Sequence, residues 1–326
     1  MKATRPILCL GATPAVQRVM SFRSLAVGSV NRAATTVEGA AGKSVNVAKV
    51  LNALGERVIA AGFLGGVRGE VIRHILKERG IGLAFVQVAE PTRQCITVLD
   101  EAAGTQTELV EESRAVPGDK YKELARVVRT HLETCRAIIM SGTLTPEAPR
   151  DFYLDCTRMA GRARVLSLVD AQGPALLDAL KGGPGLVKPN RAELAATVGR
   201  PLTTRAAVLS AMRELRELGA ERVVVTAGKD PALAFDGRTV WRVHPPDVVA
   251  VNPIGSGDAF SAGLVWRLLR GDDLGEACRW ACAAGAANAL TLMAGEVKRE
   301  HVERLAARTE VERVRERALS GRKNFA

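Results

Sequence analysis

Aromatic residues are scarce: Phe, Trp and Tyr together make up 4% of the 326 residues. Stacking platforms for single-stranded nucleic acid are correspondingly few. The histidines, His74, His131, His244 and His301, fall at no metal-binding spacing, and the six cysteines form no CxxC pair. Cys278 and Cys282, four apart and without ligand partners, read as one buried helix face rather than a zinc site. Thiols scattered through a large chain suggest a reducing compartment. No stretch of 18 apolar residues occurs, and "MKATRPILCLGATPAV" lacks the long hydrophobic segment of a signal peptide. The expectation is a cytoplasmic protein with no membrane partner.

What is present fits a globular chain. Apolar residues account for 47% and charged residues for 25%, enough to build a sizeable core. The formal net charge is +11. The basic residues are scattered, without helix-turn-helix or zinc-finger spacing, so the charge suits an anionic small molecule better than nucleic acid.

Short apolar runs alternate with helical patterns. "PILCLGAT", "RVIAAGFLGG", "AIIMSG", "RVLSLVD", "GLVKPN" and "RVVVTAG" read as strands ending in polar or glycine residues. "SVNVAKVLNALG" and "GEVIRHILKERG" between them have helical spacing and end at glycine. The pattern predicts a single α/β domain, with helices on both faces of a mostly parallel sheet. Residues 12–38 and about 92–112 break the alternation. Their β-branched residues predict a small second sheet, lying over the carboxyl ends of the main strands where α/β ligands bind. The Arg- and Glu-rich tail, 296–326, reads as a solvated helix with i,i+4 ion pairs.

One stretch points to chemistry. In "NPIGSGDAF", residues 252–260, Gly255, Ser256 and Gly257 precede Asp258 at the start of an apolar helix. A glycine turn there can aim the amides of 255–258 at an anion, with the helix dipole behind them. Asp258, ionised in the first helical turn, can accept a hydroxyl proton. Read alone, the stretch is equally an aspartate cap behind a glycine turn. In "KPNRAEL", Asn190 and Glu193 lie three apart; they suit magnesium held through waters, or simply an acidic helix start. "GKS" at 42–44 is no phosphate-binding P-loop, since the glycine required at position 37 is valine. Arg93, in "PTRQCITV", is a candidate phosphate fork or an ordinary edge-strand arginine.

Taken together, "AAGKSVNVAKVLNALG", "GLVKPNRAEL" and "NPIGSGDAFSAGL" resemble the signatures of the PfkB/ribokinase family of carbohydrate kinases, in that family's order, from about residue 7 to 296. The match is closest to the branch of 1-phosphofructokinases and tagatose-6-phosphate kinases. The resemblance implies a ribokinase-like three-layer α/β/α sandwich with a small β-lid that forms a homodimer interface. It implies ATP- and Mg²⁺-dependent phosphoryl transfer to a hydroxyl of a sugar or sugar phosphate, with Asp258 as base and the preceding glycines as anion hole. Gln17, Gly42, Lys43, Asn46, Arg93 and Ser141 would face the sugar, and Arg32 would add a cation from the other lid segment. Lys188, Asn190, Glu193, Thr226, Gly228 and Asn288 would face the nucleotide, with Mg²⁺ near Asn190 and Glu193 through water.

The chain departs from the family on the sugar side. The family's Asn-Pro-Ala-x-Asp is here "TPAVQ", with Thr13 and Gln17, and its Gly-Gly-Lys-Gly is Ala41-Gly42-Lys43-Ser44. On the nucleotide side, Pro231 replaces a usual glycine. Glutamine offers a neutral acceptor and a donor where aspartate offers only charged acceptors. The expected substrate therefore presents an acceptor, such as a carbonyl or carboxylate oxygen, or a differently oriented hydroxyl near position 17, and common phosphohexoses are expected to be poor. Two other functions fit the same residues. One is a kinase of an unphosphorylated sugar or nucleoside; the other is a catalytically weak sugar-binding regulator.

Overall fold

The computed structural model describes residues 5–314. Its strands are β1 (Ile7–Leu10), β2 (Ala15–Phe22), β3 (Thr35–Ala41), β4 (Val58–Leu64), β5 (Gly82–Gln87), β6 (Arg93–Asp100), β7 (Thr105–Val110), β8 (Ala137–Ser141), β9 (Leu166–Asp170), β10 (Leu186–Val187), β11 (Val223–Ala227), β12 (Asp230–Phe235), β13 (Val240–His244) and β14 (Glu310–Val314). Its helices are α1 (Lys43–Ala53), α2 (Gly66–Glu78), α3 (Gly118–Leu132), α4 (Phe152–Arg162), α5 (Gly173–Leu180), α6 (Arg191–Val198), α7 (Arg205–Glu217), α8 (Ser256–Leu268), α9 (Leu274–Ala289) and α10 (Arg299–Ala306).

The large sheet runs β14-β13-β12-β11-β10-β9-β8-β1-β4-β5. From β11 to β5 every pairing is parallel; β12, β13 and β14 add an antiparallel edge. The central runs "ILCL" and "AIIMS" are buried at every position. Strands covered on both faces need such unbroken apolar sequence. One apolar cluster joins a sheet face to α1, α2, α8, α9 and α10. A second joins the other face to α3, α4, α5, α6 and α7. The result is the expected three-layer sandwich. No described helix is long and apolar enough to cross a membrane.

The two irregular segments do form a second sheet, in the order β3-β2-β6-β7. It consists of two antiparallel pairs joined by the parallel pair β2–β6, in register from Ala15↔Arg93 to Phe22↔Asp100. β2 follows the carboxyl end of β1, and β6 that of β5. The small sheet therefore rises from the edge of the large sheet where its parallel strands end.

The C-terminal segment departs from expectation. Helix α10 lies within it, but Glu310–Val314 is a strand paired with β13, from Val240↔Val314 to His244↔Glu310. Without β14 the backbone groups of β13 would lie open at the sheet edge. Val311 and Val314, three apart, suit a helix as well as a strand, so periodicity left the choice open. The rest of the expected helix, 315–326, lies outside the described residues.

At the amino-terminal ends of the interior strands β4 and β8, a charged hub ties three elements together. Glu56, in the turn from α1 to β4, is buried and pairs with Arg136 before β8 and with Arg270 after α8, the latter at 2.6 Å. Arg270 also lies over the Trp266 ring, 4.8 Å from its centroid. Glu56→Gln should lower stability by about 2 kcal/mol, since charged hydrogen bonds are lost while both arginines can still reach water. Urea unfolding checks this; an unshifted midpoint would reduce the hub to surface decoration.

Candidate active site

A cleft of about 880 Å³ lies between the two sheets. Its floor is built at the carboxyl ends of the parallel strands, the usual ligand edge of such a sheet. β9 ends on Asp170, Lys188 follows β10, and Thr226 lies near the end of β11, bridged to Asn190. Helices α1 and α8 point their N-termini at the same place, so Lys43 and Asn46 face Gly255, Gly257 and Asp258 across it.

The glycine turn has one strict requirement. Gly255 caps α8 with φ 82°, and a Cβ there would lie 2.6 Å from the Ala294 Cβ. Only glycine satisfies both. Gly257 is different: its φ is not positive, and a Cβ would meet only the Lys188 Nζ, at 3.8 Å. Its bare Cα leaves room beside that ammonium. Not all four amides of the turn are available. The Ser256 N–H donates to Pro253 O and the Asp258 N–H to Gly255 O. The Gly255 and Gly257 N–H groups have no protein acceptor among the described residues, which leaves those two as anion donors.

Charge is concentrated here. The Asn46 Nδ2 donates to Asp258 Oδ2 at 2.8 Å. Asp170 is fully buried between two lysines, with Lys43 Nζ 3.3 Å from Oδ1 and Lys188 Nζ 3.2 Å from Oδ2. The Ser261 hydroxyl, one turn along α8 from the glycines, donates to Oδ2 at 3.0 Å. Burial opposes the Asp170 charge, but Lys188 and then Lys43 outweigh it and hold the carboxyl below its usual range. Asp258 lacks an ion-pair partner this close. Burial pushes it up to about 6, Asp170 adds to the rise, and Lys43, Asn46 and Lys188 pull it back. A carboxyl raised this far is mostly ionised at neutral pH and more basic than an ordinary aspartate. Burial also works against the Lys43 charge, yet Asp170, Asp258 and Glu193 raise its pKa above the ordinary value.

Most residues expected from the sequence line this cleft: Gln17, Gly42, Lys43, Asn46 and Arg93 on the lid side. Lys188, Asn190, Glu193, Thr226 and Gly228 line the other side. Gly42 caps α1 with φ 102°. Asn190 and Glu193 cap α6 reciprocally, so the local helix-start reading holds, while the second Glu193 oxygen lies 3.5 Å from Lys43 Nζ. Gln17 donates to the Thr97 hydroxyl at 2.6 Å. One of its two amide hydrogens is spent there, which leaves one donor and the carbonyl for a substrate acceptor or hydroxyl. The Arg93 fork bonds the Thr13 carbonyl, through Nε at 3.3 Å and Nη2 at 3.2 Å.

Three expectations miss the cleft. Asn288 is fully buried; its amide donates to Ile254 O and its carbonyl accepts from Gly295 N–H. It braces the glycine turn from behind. Ser141 ends β8 with its hydroxyl buried and unpartnered, below the cleft floor. Arg32 is exposed between β2 and β3 and does not line the cleft. Conversely, Asp170, Ser261 and the lid residue Glu108 were not singled out. An acid closing the apolar run "VLSLVD" was the available signal for Asp170; Ser261 and Glu108 gave none.

A carboxylate poised as a base, a glycine-turned helix N-terminus and flanking lysines under a β-lid define a phosphoryl-transfer enzyme acting on small hydroxyl compounds. Comparison with known proteins narrows the class. The sequence profile of the pfkB family carbohydrate kinases matches residues 6–298, and the chain belongs to that family. The tagatose-6-phosphate kinase of Staphylococcus epidermidis is 30% identical over 317 residues, spanning 94% of this chain and 99% of that protein. The tetrameric inhibited form of Escherichia coli phosphofructokinase-2 superposes with a TM-score of 0.85 at 28% identity, covering 93% and 99% of the two chains. The ribokinase of Arabidopsis thaliana, with TM-score 0.73 and 20% identity over 93% and 99%, shares the fold.

The raised pKa of Asp258 has a consequence for stability. A carboxyl raised in the fold contributes stability below its unfolded value of 3.8 and loses it as pH rises through about 6. Asp258→Asn, neutral at every pH, should therefore melt above wild type at pH 7.5, by at least about 2 °C for a chain of this size. The two melting curves should converge below pH 4. Melting points measured by calorimetry across that range check it, and a variant no more stable at pH 7.5 would contradict the buried charge.

Proposed function

We propose that this carbohydrate kinase transfers the γ-phosphoryl group of ATP to a hydroxyl of a sugar phosphate, with Asp258 as the general base. The observation carrying the reading is the Asn46–Asp258 pair beside the two free amides of the glycine turn. It puts a carboxylate and two unpaired N–H groups on the same helix start. As the hydroxyl attacks, Asp258 takes its proton, and Asn46 keeps the carboxylate turned toward the cleft. The Gly255 and Gly257 amides stabilise charge developing on the transferred group, as an oxyanion hole does. Lys43 and Lys188 flank that group, and Asp170 pairs with both ammonium groups and holds them in place.

The nucleotide fits the side lined by Thr226, Gly228 and Lys188, where the β11–β12 turn has Gly228 at φ 65°. No group of three or more potential ligands gathers among the described residues, so a direct protein cage for a metal is absent there. The Glu193 oxygen that faces Lys43, with the Asn190 side chain nearby, fits a Mg²⁺ held through waters and nucleotide phosphates, an ion that dehydrates reluctantly. When bound, Mg²⁺ supplies neutralisation of phosphate charge. The lid lies over the sugar side; its closure would exclude water and suppress ATP hydrolysis. Val27, Val30, Leu109 and Val110 are exposed on or beside the lid strands, and we read them as the contact of a homodimer.

The relatives named for phosphohexose kinases favour a phosphorylated substrate, with Arg93 as its phosphate contact. A second reading has one observation behind it: the Arg93 fork is already bonded to Thr13 O, so the true substrate is then an unphosphorylated sugar or nucleoside. A panel of free and phosphorylated sugars, read by ADP release, tests the kinase reading. On the best substrate, Asp258→Asn should lower kcat by at least ~10²-fold, with the KM for ATP nearly unchanged. Wild-type turnover in that variant would leave Asp258 only as an acidic residue in the first turn of α8.

Arg93→Ala separates the two substrate classes. If the substrate carries a phosphate, its KM should rise at least ~10-fold, the loss of a charge-assisted contact of about 1.5 kcal/mol or more, while free sugars are unaffected. Equal losses for both kinds of sugar would favour the free-sugar kinase.

A further inference from the structure

One fully buried charge has no part in the chemistry above. Lys49 lies on α1, three residues past Asn46 and on the same helical face, with its side chain 1% exposed. Its ammonium donates to Ala40 O in the lid strand β3 at 3.1 Å. It also donates to Ala294 O at 2.7 Å and pairs with Glu296 at 2.9 Å. Glu296 in turn holds Arg79 after α2, at 2.8 Å. A lysine brought this far out of water needs all its donors met, and these three oxygens meet them.

The segment 292–296 is where the parts of the active site touch. Met293 and Leu292 pack with Val19, Val37 and Leu99, the apolar centre of the lid. Ala294 is the residue that makes Gly255 obligatory, at 2.6 Å from a Cβ built there. Gly295 lies against the Asn46 backbone and the Lys49 Cε, with contacts of 3.1–3.2 Å to an added Cβ. Lid, glycine turn and α1 thus meet at one short segment, and Lys49 bonds both that segment and the lid strand.

Resting on the kinase reading, we infer that Lys49 is a positioning residue: its ammonium latches the lid strand and the 292–296 segment to α1, and so couples lid position to the glycine turn and to the Asn46–Asp258 pair. A lysine that only filled the core would affect folding without affecting turnover by the folded protein. A latch acts on kcat, because small displacements of the base or the anion hole fall on the transition state.

The test pairs Lys49→Met, which keeps the chain length and removes the ammonium, with Glu296→Gln at the partly exposed end of the latch. In folded Lys49→Met, kcat should fall on the order of 10²-fold while the KM for ATP stays within about threefold; Glu296→Gln should lower kcat about 3- to 10-fold with the same split. Amide exchange should quicken at least about threefold in residues 36–41 and 292–296 together, in either variant. Folded variants with wild-type kcat overturn the inference, as does faster exchange in only one of the two segments. If Lys49→Met does not fold, Glu296→Gln decides alone. Wild type that phosphorylates no sugar or sugar phosphate fails the kinase reading instead, and the exchange of the two segments still decides the latch.

Discussion

Asp170 is the charge on which the site depends. Its carboxylate is fully buried yet held ionised between Lys43 and Lys188, with the Ser261 hydroxyl completing its contacts. A lone carboxylate this far from water would neutralise instead. Because Asp170 is negative, two ammonium groups can stand beside the anion site without repelling each other out of it. Because it is negative and near, Asp258 ionises less readily than it otherwise would. One buried group thus both holds the lysines of the cleft in place and raises the basicity of Asp258.

The glycine turn depends on support behind it. The Asn288 amide fixes Ile254 from one side and Gly295 from the other. The Asn252 side chain adds a bond to Leu292 O and accepts from the Ile254 N–H. Fully engaged amides of this kind specify one backbone path, and that path leaves two N–H groups free to meet an anion. Pre-set donors need no rearrangement as charge develops, which is the physical advantage of an anion hole made from backbone.

The lid shares its edges with the base. β3 ends at Ala41, Gly42 reverses the chain, and α1 begins at once with Lys43 and Asn46. The lid strand and the helix whose Asn46 bonds Asp258 are therefore consecutive pieces of one chain. Gln17 and Arg93 reach the cleft from β2 and β6, whose parallel pairing sets their spacing. Gln17, Arg93 and Glu108 line the cleft from the small sheet, whereas Asp170, Lys188 and Asp258 line it from strand and helix ends of the large one.

Local pattern by itself determined the layers of the fold, the second sheet and the chemical core of the site. Unbroken apolar runs specify buried parallel strands, and a glycine turn before Asp258 specifies a helix N-terminus with a carboxylate in its first turn. These properties are written in neighbours along the chain. Tertiary structure alone decided the rest, because it joins residues far apart in sequence. Asp170 meets Lys43 across 127 positions, and Asn46 meets Asp258 across 212. The same distance hid the bracing role of Asn288, the sealed position of Ser141 and the partner that spends one Gln17 donor. At the C-terminal end, Val311 and Val314 fitted helix and strand alike. The unpaired edge of β13, seventy residues earlier in the chain, made that segment a strand.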